Sequence, residues 1–381
     1  MKTEDVSFTE FLDDYFSESE EHLGSIRRYL LVMEGFVNSV PMDPGVPDAM
    51  NELLHALHSI KGLSAMVGIR EAEQAAHDME VSLRDMKQAG TGNWDKLQPM
   101  IDRIEAARAS GTRITADMYT YTAGATGLDA AMPPWVREGG YGKWQARLKD
   151  PALRVKVAKE MKERPVGWDN LYFQAGSPDK VLFLAFKNPA LKKYTGKTLA
   201  DVARERGKSA EETAMYLVVE DGTRVGTAYF LMSEENVARQ AGLPWMAFDS
   251  DESAQAPRGV FLKSNTHPRA YGNFARLLGK YVREEKRTTL QDAVRRLSSF
   301  PATNLGIKDR GFVKAGMKAD LAIFDPATIG DKATFDQPQQ FAVGMRHVFV
   351  NGQAVLMNGD MTGARPGRAV RGPGYQRCPT Q

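Results

Sequence analysis

A histidine, a lysine and a glycine in the first quarter of the chain have types and spacing suited to phosphoryl chemistry: His58, Lys61 and Gly62. Because His58 and Lys61 are three residues apart, they share one face of a helix. Gly62 lacks a Cβ atom, which leaves open surface beside the imidazole for a protein partner. An imidazole that titrates near neutrality supplies an uncharged nucleophile, and the lysine places a cation beside the incoming anion. This pattern indicates a histidine that accepts a phosphoryl group.

A second helical segment offers His77 and Glu80, again three residues apart. A carboxylate that accepts the N–H of one ring nitrogen of His58 would fix the tautomer and leave the other nitrogen free to attack. Two other interpretations stay open. A lone histidine on a helix is usually a satisfied polar residue. His55 and His58 could also form a metal pair, although they lack the i, i+4 spacing and the glutamate of zinc helices.

Amphipathic helices must position these side chains. Apolar residues recur at steps of three and four from Phe8 to Met33, which is the periodicity of a helix with one buried face. Similar patterns predict a second helix from about Pro47 to Met66 and a third from about Arg70 to Lys87. The histidine and its candidate carboxylate partner lie on the second and third of these. A further amphipathic helix is predicted from Trp94 to Ala109.

The pattern changes beyond residue 110, where short β-branched or aromatic runs alternate with helices. Such alternation predicts a layered α/β structure with a parallel sheet. Beyond Gly311 the pattern is β again, and Asn351-Gly352 between two apolar runs predicts a tight hairpin. The predicted strands are Arg113–Tyr121, Lys180–Lys187, Thr227–Met232 and Trp245–Asp249, and the predicted helices are Gly142–Arg164, Leu199–Arg206, Ala210–Val219, Glu234–Ala241 and Asn273–Glu285.

Length and composition limit the possible functions. A chain of 381 residues is long enough for two or three domains at roughly 100–200 residues each. With 50 basic and 48 acidic residues the formal net charge is +2, which gives no electrostatic footprint for nucleic acid. The single cysteine, Cys378, excludes an internal disulfide and a cysteine-based zinc site. No signal-peptide pattern and no membrane helix are recognised, so we expect a cytoplasmic location and no membrane partner.

Two runs in the first quarter of the chain carry a family resemblance. They are His-Ser-Ile-Lys-Gly-Leu-Ser-Ala-Met-Val-Gly at 58–68 and His-Asp-Met-Glu at 77–80. Together they resemble the phosphotransfer domain of chemotaxis-type histidine kinases, over about residues 5–88. The resemblance implies a histidine kinase catalytic core and a response regulator receiver domain as partners, and it implies no cofactor. It also implies roles for four residues: His58 as phosphoryl acceptor, Lys61 as its assistant, and His77 and Glu80 as the groups that orient the ring.

The rest of the chain carries a second set of motifs. They are Ala-Asp-Met-Tyr-Thr-Tyr-Thr-Ala-Gly-Ala-Thr-Gly at 116–127, Ala-Met-Pro-Pro-Trp at 131–135, His-Pro-Arg-Ala-Tyr-Gly-Asn-Phe-Ala at 267–275, Asp-Arg-Gly-Phe-Val-Lys-Ala-Gly-Met-Lys-Ala-Asp at 309–320 and Val-Phe-Val-Asn-Gly at 348–352. From about Lys87 onward, the chain thereby resembles N-acyl-D-amino-acid deacylases of the amidohydrolase superfamily. The resemblance implies a metal-bearing (β/α)₈ barrel with a small β-sandwich, a zinc cofactor and an N-acyl-D-amino acid substrate.

Site residues follow from this second resemblance by position. Asp251 matches the catalytic aspartate at the end of the last barrel strand, where it would take a proton from a metal-bound water and pass it to the leaving amine. This location agrees with active sites lying at the carboxyl face of such barrels. Arg269 and Tyr121 are candidates for substrate contacts, and Arg269 suits a carboxylate. Lys87 matches a lysine on the substrate side.

The metal ligands of that family lie upstream of the matched region: a His-x-His pair, a cysteine or carboxylate, and two later histidines. This chain has six histidines, none of them in a His-x-His pair, and Asp85 stands where the last ligand histidine would be. Because a zinc site needs about three protein ligands, we expect no metal site. The matched region also holds too few strands for a closed barrel.

The sequence therefore predicts a multidomain chain. An all-α helical bundle over 1–92 is followed by an α/β partial amidohydrolase barrel over 93–310 and a β-sandwich remnant over 311–381. The expected function is phosphorelay signalling through His58, joined to an incomplete deacylase region. The alternative is a metal-dependent amidohydrolase that hydrolyses N-acyl-D-amino acids with ligands supplied by another chain. A junction that arose by fusion or error and has no function is the third possibility.

Overall fold

The computed structural model describes residues 90–370 of the chain. Within this range the chain falls into two compact units. The smaller unit comprises residues 132–170, and the larger one comprises residues 90–131 together with 171–370. The helices expected before residue 90, and with them the all-α bundle, lie outside the described residues.

The regular elements follow one another along both units. The α-helices are α1 Leu97–Ala109, α2 Tyr141–Lys149, α3 Pro151–Lys162, α4 Leu171–Ala175, α5 Leu199–Arg206, α6 Ala210–Asp221, α7 Glu234–Ala241, α8 Arg269–Arg276, α9 Leu290–Leu297 and α10 Ser299–Asn304, and a π-helix over Leu277–Glu284 continues α8. The strands are β1 Ala116–Met118, β2 Ala123–Gly127, β3 Val181–Ala185, β4 Gly226–Phe230, β5 Met246–Phe248, β6 Leu321–Phe324, β7 Met345–Val350, β8 Gln353–Met357 and β9 Asp360–Met361.

The smaller unit contains α2 and α3, which the sequence predicted as one helix. The helix is broken at Asp150, since the residue before a proline is disfavoured in the helical region. Asp150 is extended, with φ −75° and ψ 118°, and its carboxylate accepts the backbone N–H groups of Ala152 and Leu153. One aspartate thus ends α2 and caps α3. The buried side chains of the two helices are Trp144, Leu148, Val157 and Met161.

The strands described in the larger unit form three sheets. β1 and β5 are parallel, whereas β2, β4 and β3 form an antiparallel sheet in that order, and β6 to β9 form a second one. The parallel layer predicted from strand–helix alternation is therefore confirmed for β1 and β5 and wrong for β3 and β4, which pair antiparallel. β2, which also pairs with β4, was not predicted as a strand, because it is an Ala/Gly/Thr run and alanine and glycine are depleted in strands. The partial barrel stays a prediction.

The first described helix, α1, packs on the parallel pair of strands. Its Leu97 and Ile101 are buried in one cluster with Trp245 and Met246. The indole Nε1 of Trp245 donates to Glu105 Oε1 at 3.1 Å, which ties the strand to the same helix. The helix expected over 94–109 is confirmed from residue 97, and its first turn is a 3-10 helix.

Capping residues set the helix boundaries in the larger unit. α5, α6, α7 and α9 each begin after a Ser or Thr whose side-chain oxygen accepts a backbone N–H of the first turn. α5 and α6 end at Gly207 and Gly222, which are left-handed. The predicted bounds of α5 and α7 are confirmed to the residue. Across residues 90–370, no helix has the length and apolar character that crossing a bilayer requires.

The C-terminal sheet contains the predicted hairpin. Asn351 and Gly352, with φ 48° and 80°, join β7 to β8. Both residues are left-handed, as a tight two-residue turn between right-twisted strands requires, so the hairpin prediction is confirmed. Beside this sheet, one apolar cluster is buried between β5, α7, α8, the π-helix, α9 and the segment around Ile329. Its most buried members include Val237, Ala241, Leu277, Tyr281, Ala293 and Ile329.

Candidate functional site

The candidate site lies at the carboxyl ends of β1 and β5. The two strands are parallel, so both end at the same edge of the sheet. Asp249 directly follows β5, Asp251 comes two residues later, and the chain returns to begin α8 at Arg269. Ligand sites of α/β sheets form outside the carboxyl ends of parallel strands. The fold therefore brings the two residues that the motifs singled out to a suitable place.

Asp251 and Arg269 form a hydrogen-bonded ion pair. The guanidinium Nη2 of Arg269 lies 2.8 Å from Asp251 Oδ2 and donates to the Asp251 carbonyl oxygen, also at 2.8 Å. Asp251 is left-handed, with φ 47°, a conformation that costs free energy in a residue with a Cβ. The two contacts to Arg269 hold this strained backbone in place. On the other side, the guanidinium carbon lies 4.4 Å from the ring centroid of Tyr119.

Several buried polar atoms around this pair have no hydrogen-bond partner. Arg269 is only 4% exposed, yet its Nε and Nη1 lack partners, and so do Asp249 Oδ1 and the hydroxyl of Tyr271. In residues 90–370 these are four of the seven buried side-chain N and O atoms in that condition. An unsatisfied buried polar group costs about 1–3 kcal/mol. Such a concentration of unsatisfied atoms is typical of a place that ordered water or a bound ligand completes.

Asp117 and Asp249 form a second pair of acidic groups. Asp117 lies opposite Ala247 in the β1–β5 register, so the next residue on the same face of β5 is Asp249. Burial, together with the hydrogen bond and the negative charge of Asp117, raises the pKa of the Asp249 carboxyl from 3.8 to about 6. The charge of Asp251 acts in the same direction. The site therefore holds a carboxyl group that changes charge close to neutral pH.

Replacing Asp249 with asparagine should flatten the pH dependence of stability. The pKa of Asp249 is higher in the folded chain, so the folded state holds the proton more tightly than the unfolded chain. Wild type therefore loses stability from this group as the pH rises from about 4 through 6, and the variant does not. The melting temperature of the variant should exceed that of wild type at pH 8 but not at pH 4. If the melting temperatures of variant and wild type differed equally at pH 4 and pH 8, the raised pKa of Asp249 would be contradicted. The matched control is Asp360→Asn, at an exposed position on β9.

Asn273 fastens the ends of both strands to α8. Its Oδ1 accepts the backbone N–H of Thr120 at 2.7 Å and the hydroxyl of Thr120 at 2.8 Å. Its Nδ2 donates to the carbonyl oxygen of Asp249. Asn273 is one turn along α8 from Arg269, so one helix places both side chains at the strand ends. We call the hydrogen bonds from Asn273 to Thr120 and Asp249 the clamp. The sequence analysis missed this residue, although it lies within the 267–275 motif.

His267 is a neutral, buried connector rather than a reactive group. Its Nδ1 accepts the backbone N–H of Arg269 at 3.0 Å, so the proton resides on Nε2, which donates to the Ala123 carbonyl oxygen at 2.8 Å. Burial, and to a smaller extent the positive charge of Arg269, lowers the pKa of this imidazole to about 3. The ring therefore joins β2 to the start of α8 and stays uncharged near neutral pH.

Tyr121 makes its polar contacts with Asp331 and Arg276 and not with the Asp251–Arg269 pair. Its hydroxyl donates to Asp331 Oδ2 at 3.2 Å, and the guanidinium of Arg276 lies 5.0 Å from its ring centroid. Gly272 makes room for this hydroxyl, because a Cβ atom there would collide with it. Burial and the negative charge of Asp331 raise the pKa of Tyr121 well above its usual value. Its predicted substrate contact stays a prediction, and the tyrosine that packs on Arg269 is Tyr119.

The structure thus brings together two of the site residues expected from the sequence, Asp251 and Arg269. A third, Tyr121, is described but contacts other residues, and the other five, His58, Lys61, His77, Glu80 and Lys87, lie outside the described residues.

The residues in the described part of the chain do not fit a zinc ion. Between residues 90 and 370, no group of three or more His, Cys, Asp or Glu side chains is placed to hold a metal. His267 has both ring nitrogens engaged, and His347, on β7, accepts the backbone N–H of Asn358 at 3.2 Å. The Asp251 carboxylate is held by Arg269. No reaction step through a metal follows from this arrangement.

Two family models match the chain. The Hpt domain model matches residues 10–110, and the Amidohydrolase family model matches residues 262–356. Within the first region, 95 residues are 33% identical to the chemotaxis protein CheA of Halobacterium salinarum, which covers 25% of this chain and 13% of that protein.

The remainder is similar to deacylases. The N-acyl-D-aspartate deacylase of Alcaligenes xylosoxydans xylosoxydans is 35% identical over 294 residues, which cover 77% of this chain and 47% of that enzyme. A solved D-aminoacylase with a binuclear metal center matches with a TM-score of 0.53 and 28% sequence identity, over 72% of this chain and 46% of that one. The chain spans about half the length of the deacylases it matches.

Both resemblances drawn from the sequence are confirmed. The chain has an Hpt domain at its N-terminus, followed by an amidohydrolase region that matches N-acyl-D-amino-acid deacylases in sequence and in structure.

Proposed function

We propose that the chain passes phosphoryl groups through His58 and that its amidohydrolase region binds a ligand without hydrolysing it. The observation that carries the first part is the Hpt match over residues 10–110, which includes His58 with Lys61, His77 and Glu80 at the spacing described above. The unpartnered polar atoms around Arg269 carry the second part. The proposal makes the chain a signalling protein of the phosphorelay type with a small-molecule site attached.

The phosphoryl step balances with two protein partners. A ring nitrogen of His58 attacks the γ-phosphorus of ATP held by a histidine kinase core, so that an N–P bond forms while the P–O bond to ADP breaks. Glu80 accepts the N–H of the other nitrogen, and Lys61 offsets the negative charge of the incoming group. The phosphoryl group then passes to a response regulator receiver domain, and the N–P bond breaks as a new P–O bond forms.

Replacing His58 with glutamine should abolish phosphorylation of the full chain. The glutamine side chain is polar and similar in size, but it has no nucleophilic nitrogen to form the N–P bond. Incubation with a kinase core and radiolabelled ATP should give acid-labile label on wild type and only background on His58→Gln. His55→Gln is the matched control and should label normally. Undiminished label on the His58 variant would reject this histidine as the acceptor.

We place the end of the helical bundle near residue 92, although the Hpt match continues to residue 110. The support comes from α1, whose Leu97 and Ile101 are buried with Trp245 and Met246. α1 is therefore part of the packing of the amidohydrolase region. In this proposal, residues 93–310 form the partial barrel and residues 311–381 form the remnant of the β-sandwich.

The ligand proposed for the amidohydrolase region is an N-acyl amino acid bound through its carboxylate. Arg269 is buried and has two nitrogens without a hydrogen-bond partner, and a guanidinium is the side chain best suited to a carboxylate. One relative is by name an N-acyl-D-aspartate deacylase, which supports an N-acyl amino acid as the ligand here.

Arg269→Gln should weaken this binding strongly. Loss of a buried charged hydrogen bond costs about 2–5 kcal/mol at an interface, which is at least tenfold in affinity. Calorimetric titration of the full chain with N-acetyl-D-leucine should show the loss, and Arg346→Gln, on the exposed side of β7, should bind as wild type does. Equal affinity in both variants would show that Arg269 does not contact the ligand.

Metal content separates this proposal from the deacylase alternative. We expect purified full-length chain to hold zinc well below one equivalent and to leave N-acetyl-D-amino acids intact, because Asp251 is engaged with Arg269 and has no companion ligands in residues 90–370. Elemental analysis and an assay for free amine test both points. One equivalent of zinc together with hydrolysis would favour the deacylase.

A further inference from the structure

The carboxyl pair Asp117 and Asp249 is not used by the proposed carboxylate site, although it lies next to it. Asp249 Oδ1 is buried and has no hydrogen-bond partner, while Asp117 stands exposed on β1. Asn273 binds the backbone carbonyl of Asp249, so it does not occupy Oδ1 of the Asp249 side chain. A buried acceptor beside a second carboxylate is best satisfied by a donor that carries positive charge.

The wider surroundings of the pair are also acidic. The site holds the guanidinium of Arg269 against four carboxyl groups, and Glu252 Oε1 lies 3.9 Å from Arg269 Nε. Burial raises the pKa of Glu252, and the negative charge of Asp251 adds to this shift. A second negative charge beside Glu252 is therefore unfavourable. One buried guanidinium can receive one carboxylate. A ligand with a second carboxylate would meet repulsion, and a ligand with a cation would meet attraction.

The two subsites are close enough for one small molecule. Asp249 and Asp251 are separated by a single residue, so their Cα atoms are at most ~7 Å apart. Arg269 contacts Asp251 directly at 2.8 Å. A side chain of four methylenes that starts near the guanidinium can therefore carry an ammonium group to Asp249.

We infer that the site selects N-acyl amino acids with a basic side chain, whose carboxylate binds Arg269 and whose ammonium group binds Asp117 and Asp249. The inference rests on the carboxylate-binding role proposed for Arg269 and adds the side-chain class of the ligand. Asp117 and Asp249 act as specificity residues, since they contact the side chain and not the carboxylate.

Calorimetric titration of the full-length chain with three ligands tests this. Nα-acetyl-D-lysine should bind about tenfold more tightly than Nα-acetyl-D-norleucine, which has a similar side chain without the ammonium group, because a desolvated charge pair contributes about 1.4 kcal/mol or more. Nα-acetyl-D-glutamate should bind more weakly than either. Asp117→Asn should bring the lysine derivative down to the affinity of the norleucine derivative without changing the latter. Asp117 is exposed, so this variant should fold normally.

The outcomes separate the two proposals. If the lysine and norleucine derivatives bind equally, if Asp117→Asn keeps the lysine preference, or if the glutamate derivative binds best, the basic side-chain selectivity is wrong while carboxylate binding at Arg269 stands. If none of the three binds, both are wrong. Asp360→Asn, exposed on β9, controls for the general effect of removing one negative charge and should retain the preference.

Discussion

Replacing Arg296 with methionine is expected to lower the free energy of unfolding by about 3–5 kcal/mol, the cost of breaking a buried charged network. Arg296 is fully buried. Its Nε donates to the Met246 carbonyl oxygen at 2.6 Å, and Nη1 and Nη2 both donate to the Ala241 carbonyl oxygen at 2.8 Å. The guanidinium thus joins the end of α7 to β5, and Asp292 provides its counter-charge at 3.3 Å.

Methionine fills a similar volume but donates no hydrogen bond, so two buried carbonyl groups and the Asp292 carboxylate lose a partner. Urea denaturation monitored by tryptophan fluorescence should report the loss, since Trp245 lies next to Met246. Arg295→Met is the matched control. Its side chain is 39% exposed and pairs with the same aspartate at 2.9 Å, so we expect a cost below about 1 kcal/mol. Similar costs in both variants would show that the buried network does not stabilise the fold.

Asn273→Leu is expected to produce the second large effect, on stability and on ligand binding together. The substitution leaves the N–H of Thr120 and the carbonyl of Asp249 without partners inside the structure, at about 1–3 kcal/mol each. We expect a loss of roughly 3–4 kcal/mol. Because the clamp fixes both strand ends, binding of N-acetyl-D-leucine should weaken at least tenfold even at temperatures where the variant is folded.

A double-mutant cycle distinguishes the clamp from general packing. Thr120→Val removes the hydroxyl that donates to Asn273 at 2.8 Å and keeps the backbone N–H. If the two residues act through this contact, the cost of the double variant should be smaller than the summed costs of the single variants. Additive costs, or an Asn273 variant that binds ligand normally, would show that the side chain only fills space.

Features that depend on a few neighbouring residues, such as helix bounds and a tight hairpin, could be predicted from the sequence. The predicted starts of α5 and α7 agree with the structure, where Thr198 and Ser233 cap these helices. A cap acts within one turn, so such a start depends on local sequence. Asn351-Gly352 fixed the hairpin for a similar reason. β2 could not be predicted this way, since an Ala/Gly/Thr run has little strand propensity and is held by pairing with β4, about a hundred positions later in the chain. The break at Asp150 was readable from Pro151 and was missed.

The site was predictable where a motif carried it and not where the path of the chain decided it. Asp251 and Arg269 were both named and are in contact. Which tyrosine faces Arg269 could not be read, because β1 ends at Met118 and strand alternation no longer applies beyond it. Asn273 was missed because its partner Thr120 lies 153 residues away in the sequence. Such long-range hydrogen bonds leave no periodic signal.

The packing of α1 against Trp245 and Met246 limits where recombination could join the Hpt domain to the amidohydrolase region. A recombination breakpoint at residue 110, where the Hpt match ends, would strip this helix from the downstream half and expose an indole and a thioether to water. A breakpoint upstream of Thr91 would carry the helix along with the strands it covers. Any exchange of the N-terminal portion that yields a well-behaved product should therefore cut before that position.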